Sequence, residues 1–141
     1  MRAKKLPEIK EKFYYEAPVL PAQFKAGGKP VVAEKINSLD LVRLLLPSKG
    51  NYYMVQVSGE SMIEENIFDG DILIVEKNNY PKDGDIVIAS LNGEMLVKIF
   101  RLINGKVYLF SANKRFFPIE IFPDWQFEIL GIVRHCIHNM V

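Results

Sequence analysis

From Tyr52 to Ile137 the chain alternates short apolar runs with Gly, Asn, Asp and Pro. The runs are YYMVQVS, GDILIVEK, GDIVIASL, EMLVKIFRL, KVYLFSA and FEILGIVRHCI, and all carry the β-branched and aromatic side chains that suit a pleated, half-buried surface. Asn92-Gly93 and Asn104-Gly105 have the composition of two-residue hairpin turns, and they bracket the run that contains Lys98. The stretches DGDI at 69–72 and 83–86 each open a strand from a turn, a local similarity rather than a repeat architecture. The pattern predicts a mainly β domain of antiparallel strands.

Upstream the pattern changes. Residues 1–30 are polar, interrupted by Pro7, Pro18, Pro21 and Pro30, and carry Gly27-Gly28, so they read as a flexible arm ahead of a folded domain over 31–141. From Asn37, NSLDLVRLLLP offers a capping residue, Leu41, Leu44 and Leu45 at helical spacing, and Pro47 as a stop, which predicts one short helix. Arg2, Lys4, Lys5, Lys10 and Lys12 lie among Glu8 and Glu11, a solvated arm rather than a nucleic-acid tail.

Composition narrows the function classes. The 141 residues, 49% hydrophobic, suffice for one core. Eighteen Lys and Arg against 17 Asp and Glu leave a net charge of +1, so surface charge gives no reason to expect sequence-specific DNA binding. One cysteine, Cys136, excludes an intramolecular disulfide, and MRAKKLPEIKEKF lacks the apolar stretch of a secretory signal, which points to the cytoplasm. No run approaches the ~20 apolar residues that span a bilayer, the longest pieces being near LVRLLL and GDILIV, so no membrane association is expected. His135, Cys136 and His138 form a short HCIH at a strand end, read as structural or exposed rather than as metal ligands, and neither metal nor cofactor is expected.

Two residues stand out. In VQVSGESMIEENIFDGDILIV, Ser61 follows Gly59 and precedes a strand, where a serine ordinarily closes a turn or caps a helix. In EMLVKIFRL a period of two puts Leu96, Lys98 and Phe100 on one face, where a lysine ordinarily covers apolar surface while its ammonium reaches water. Taken as a pair they support another reading. A serine nucleophile needs a base, and His135 and His138 lie at the C-terminus without a clear Asp partner in sequence, whereas a Ser-Lys dyad needs no histidine. An ordinary lysine is neutral in only on the order of one part in a thousand near pH 7, but burial among apolar neighbours disfavours the ammonium and frees a base. The backbone N–H groups of Ser61 and Gly59, where the chain turns sharply, are candidate oxyanion donors.

With VSGESM, DGDILIV, GDIVIASLNGEMLVKIFRL and GIVRH in place, most of residues 51–135 resembles the LexA/UmuD family of self-cleaving serine peptidases. The resemblance puts the family's nucleophile motif on Ser61 and Met62 and its general-base lysine on Lys98, and implies a compact, mostly β peptidase domain that dimerises. It implies cleavage in the protein's own N-terminal segment, before a glycine preceded by Ala or Cys. LPAQFKAGGKP offers Ala26-Gly27, with Gly28 leaving the register open by one residue. Glycine suits a scissile site because little bulk flanks the carbonyl, and it suits a flexible linker equally.

Family members of the repressor type place a helix-turn-helix domain before the cut, and the 26 residues ahead of Gly27 show no paired helical pattern. The chain therefore looks like the UmuD type. That resemblance implies cleavage stimulated by a RecA-nucleoprotein filament and a shortened homodimer that serves a UmuC-type Y-family translesion polymerase in SOS mutagenesis. The alternatives are a phage- or LexA-type repressor C-terminal domain, a signal peptidase, for which no anchor is visible, and a binding module with a vestigial dyad.

Overall fold

Asn92 and Gly93 both adopt positive φ, +50° and +86°, and turn the chain in two residues from β6 (Ile86–Leu91) into β7 (Glu94–Ile103). This is the mirror-image turn whose twist matches that of antiparallel strands, and Asn-Gly adopts it with little strain. Asn104 and Gly105 repeat it between β7 and β8 (Lys106–Phe110), with Ile103 opposite Lys106. The computed structural model describes residues 1–6, 16–18, 38–40, 45–46 and 50–140.

The remaining strands of the main unit are β1 (Arg2–Lys5), β4 (Tyr52–Ser58), β5 (Ile72–Glu76), the two-residue β9 (Ile119–Glu120) and β10 (Phe127–Ile137). The order is β1-β4-β5-β10-β6-β7-β8-β9, and β1 also meets β7 through Arg2 and Leu96, which closes six strands into a barrel with every pairing antiparallel. Six of these strands coincide with the six apolar runs. The unit comprises Met1–Pro7 and Gly50–Val141. A second unit, Glu8–Lys49, contains β2 (Glu16–Pro18) paired with β3 (Ser38–Asp40).

Two expectations meet a different structure. Residues 2–5, placed in a flexible arm, form a four-residue ladder with β4, Arg2 to Ser58 through Lys5 to Val55, because the open edge of β4 supplies backbone partners that a polar sequence accepts as readily as an apolar one. Ser38–Asp40, expected to begin a helix, is strand; Ser and Asp are weak helix formers, and pairing outweighs the local cap signal, while Leu45 is helical. The Ala26-Gly27 bond lies outside the described residues.

Two buried clusters hold the main unit. Val55, Val57, Leu73, Val75, Ile88 and Val97 pack with Met1, Met62, Ile67 and Ala112. Val87, Ala89, Phe100 and Leu109 form a second cluster on the opposite face of β6. The 2.0 periodicity sorts the side chains: Val87 and Ala89 face one cluster and Ile88 the other. Met62, Ile67 and Ala112 belong to loops, so the core itself clamps the turn that carries Ser61.

Candidate active site

Ser61 follows β4 in a turn that Gly59 makes possible, its φ of +104° lying where L side chains are strained. Gly59 N–H donates to Asp69 Oδ1 at 2.9 Å, tying this turn to the first DGDI. That bond commits the Gly59 N–H elsewhere, so in this state the oxyanion role expected of Gly59 does not rest on that donor. Beyond Ser61, Met62 is fully buried and accepts the Ala112 N–H on its sulfur at 3.4 Å, and Ile63–Glu65 form a single 3₁₀ turn. A buried anchor on one side and a fixed glycine turn on the other leave Ser61 one place to be.

Lys98 lies mid-strand on β7, opposite Val87 on β6. Both Ser61 and Lys98 are buried, at 1% and 6% exposure. Lys98 Nζ stands 3.4 Å from Ser61 Oγ and donates to Ser111 Oγ at 2.7 Å. The Phe116 ring lies over the same nitrogen, centroid at 5.5 Å. Burial pushes the Lys98 amine below the usual lysine range, partly offset by its hydrogen bond with the N-terminal amine. That is the direction a general base requires, since it raises the neutral fraction near neutral pH. The structure thus brings together two residues that lie 37 positions apart in sequence.

A third group joins them. The α-amino group of Met1 donates to Ser61 Oγ, and Met1 O accepts from Val97 N at 2.8 Å. Burial, followed by the neighbouring Lys98 charge, lowers this amine to about 5, so near neutral pH it is uncharged. Met1 therefore lies over Ser61 and Lys98 in this state, a contact that composition did not suggest.

Ser111 and Phe116 also went unforeseen, although Ser111 had a signal. Counting outward from the Asn104-Gly105 turn pairs Ile103 with Lys106 and Ile99 with Phe110, and one step further sets Ser111 across from Lys98. Asn113 completes the surroundings: its Nδ2 donates to Glu60 O at 2.9 Å. Of the HCIH residues, Cys136 Sγ donates to Asp71 Oδ2 at 3.3 Å and His138 Nδ1 lies 2.7 Å from Asp71 Oδ1. Among the described residues no three His, Cys, Asp or Glu side chains are arranged to hold a metal ion, and no helix is long and apolar enough to cross a membrane.

The peptidase S24-like family matches residues 18–134, a span that includes Ala26, Gly27, Ser61 and Lys98. A LexA repressor of Stenotrophomonas maltophilia is 37% identical over 109 residues, covering 76% of this chain and 51% of that protein. A LexA repressor of Bifidobacterium adolescentis is 41% identical over 110 residues, 77% of this chain and 41% of that protein. A third, from Mycobacterium bovis, is 37% identical over 117 residues, 83% and 48%. The chain spans about half the length of these relatives.

Proposed function

The chain belongs to the peptidase S24-like family, and from that premise we propose that it is a self-cleaving serine endopeptidase working through a Ser61-Lys98 dyad on its own Ala26-Gly27 bond. The observation that carries this is the buried approach of Lys98 Nζ to Ser61 Oγ at 3.4 Å. Neutral Lys98 takes the Ser61 hydroxyl proton as Oγ bonds to the Ala26 carbonyl carbon; the ammonium then returns a proton to the departing Gly27 amine as the C–N bond breaks, and water releases the acyl group. The Ser61 N–H is the candidate oxyanion donor, with Met62 anchoring the turn from below. For the substrate carbonyl to reach Oγ, Met1 must leave its present place over the serine. Because the substrate is tethered, docking supplies an effective concentration that reaches ~10⁵ M or more for well-oriented groups.

The biological reading we favour is a UmuD-like homodimer, cut when a RecA-nucleoprotein filament assists and then serving a UmuC-type Y-family polymerase in the cytoplasm. A LexA-type repressor domain is the second reading, favoured by the name the relatives carry. Incubation of wild-type, Ser61→Ala and Lys98→Ala protein with an activated filament tests the chemistry: cutting in wild type alone supports the dyad, and cutting in either variant rejects it. Capture of the cut form by an immobilised Y-family polymerase separates the biological readings, since a polymerase accessory is retained and a repressor C-terminal domain is not.

A further inference from the structure

Lys98 Nζ donates to Ser111 Oγ at 2.7 Å, closer than Ser61 Oγ at 3.4 Å. A neutral amine has two N–H bonds and one lone pair, and a base is useful only if the lone pair faces the proton it takes. One N–H committed to Ser111 Oγ fixes rotation about the last bond of the side chain. Ser111 is well placed for this, because it continues the β7–β8 ladder one step past the Ile99 and Phe110 pair, and directly opposed side chains share a face.

The segment following β8 also grips the nucleophile. Ala112 N–H donates to Met62 Sδ at 3.4 Å, Glu64 N–H donates to Ala112 O at 2.8 Å, and Asn113 Nδ2 donates to Glu60 O at 2.9 Å. Three successive residues thus contact the base on β7 and both sides of Ser61. We propose that Ser111 is a positioning residue of the dyad, accepting one Lys98 N–H so that the amine's lone pair faces the Ser61 hydroxyl, with Ala112 and Asn113 holding the serine turn at the matching distance. The inference rests on the dyad reading above. When Ser61 loses its proton to Lys98, the resulting ammonium donates to the same Ser111 oxygen in a stronger, charge-assisted bond, so Ser111 also favours the protonated base.

That last point separates positioning from mere packing. The test is the rate at which a fluorophosphonate probe labels Ser61, followed by intact mass between pH 6 and 10 in the full chain. Among the described residues, the titratable group facing Lys98 is the Met1 α-amine, which is already neutral over most of this range, so the rising limb reports Lys98. Ser111→Ala and Ser111→Val should lower the alkaline plateau roughly tenfold to a hundredfold, the scale of a misplaced catalytic group. Both should also move the midpoint to lower pH, because an acceptor for the ammonium is lost. Ser111→Thr keeps the hydroxyl in the shape of valine and should restore plateau and midpoint. An unchanged plateau in Ser111→Ala overturns the inference, as does a lowered plateau with an unmoved midpoint or a threonine variant as slow as valine. Lys98→Ala run alongside keeps the two levels apart: wild-type labelling there removes the dyad itself, whereas lost labelling there with a normal Ser111→Ala removes only the role of Ser111.

Discussion

A lysine in a β-barrel wall is unfavourable for the fold and useful to the proposed chemistry. Lys98 is 6% exposed and its amine is held below the usual lysine range by burial. The sign of the pH effect follows. Below the folded-state pKa the amine is protonated and cannot accept the Ser61 proton; above it the neutral base is present. Self-cleavage should therefore accelerate as pH rises through that value and level off beyond it, with Lys98→Ala inactive throughout. Time courses of fragment formation from neutral to alkaline pH check this, and a flat profile with the fold intact contradicts a lysine base. Asp71 gives the opposite case. Burial alone would raise its pKa, but the Phe68 N–H, His138 and Cys136 outweigh burial and hold the carboxyl below the usual range. Its contribution to stability is thus present above the unfolded value of about 3.9 and disappears as pH falls through the folded value. Thermal melts should show wild type well above Asp71→Asn at pH 7, with the gap closing toward pH 3.

The longest strand sets the tightest constraint on the elements. β10 bridges β5 and β6, and its register shifts between Ile129 and Gly131 and again between Val133 and His135. A Cβ at Gly131 would lie 2.4 Å from Val75 Cγ1, 2.7 Å from Glu76 O and 2.9 Å from Tyr53 Oη. The carbonyl belongs to the ladder and cannot turn away. Gly131→Ala should therefore destabilise the domain by about 1–3 kcal/mol, measured by denaturant unfolding; an unchanged midpoint would mean that the barrel wall yields there.

The same elements show what the sequence makes legible. β6, β7 and β8 announce themselves by apolar runs and by Asn-Gly turns that allow one register, and a period of two along β7 alone puts Lys98 among apolar neighbours. Local grammar also covers the two DGDI stretches, whose last aspartates accept Phe68 N–H and Lys82 N–H, each at 2.8 Å. β1 is not legible. RAKK has no apolar pattern, and what makes it a strand is the vacant edge beside β4, a property of the assembled sheet. The placement of Ser111 falls between these cases, since it follows from hairpin arithmetic once the turn is fixed.

At the scale of the molecule, the barrel brings a serine from one loop and a lysine from a distant strand into a single buried contact, and Met1 covers that contact. The proposed tethered chemistry fits such an arrangement, because a serine and a lysine shut away from solvent are ill placed to act on a free protein and better placed to act on a segment of their own chain. The proposed reaction is defined by the bond that is cut and the residue that cuts it. Intact mass and N-terminal sequencing of wild type and Ser61→Ala, after alkaline incubation and after filament treatment, test it most directly. Wild type alone should yield residues 1–26 and a product beginning at Gly27; a cut in Ser61→Ala, no cut in wild type under either treatment, or a new N-terminus between residues 50 and 140 would overturn the proposed reaction.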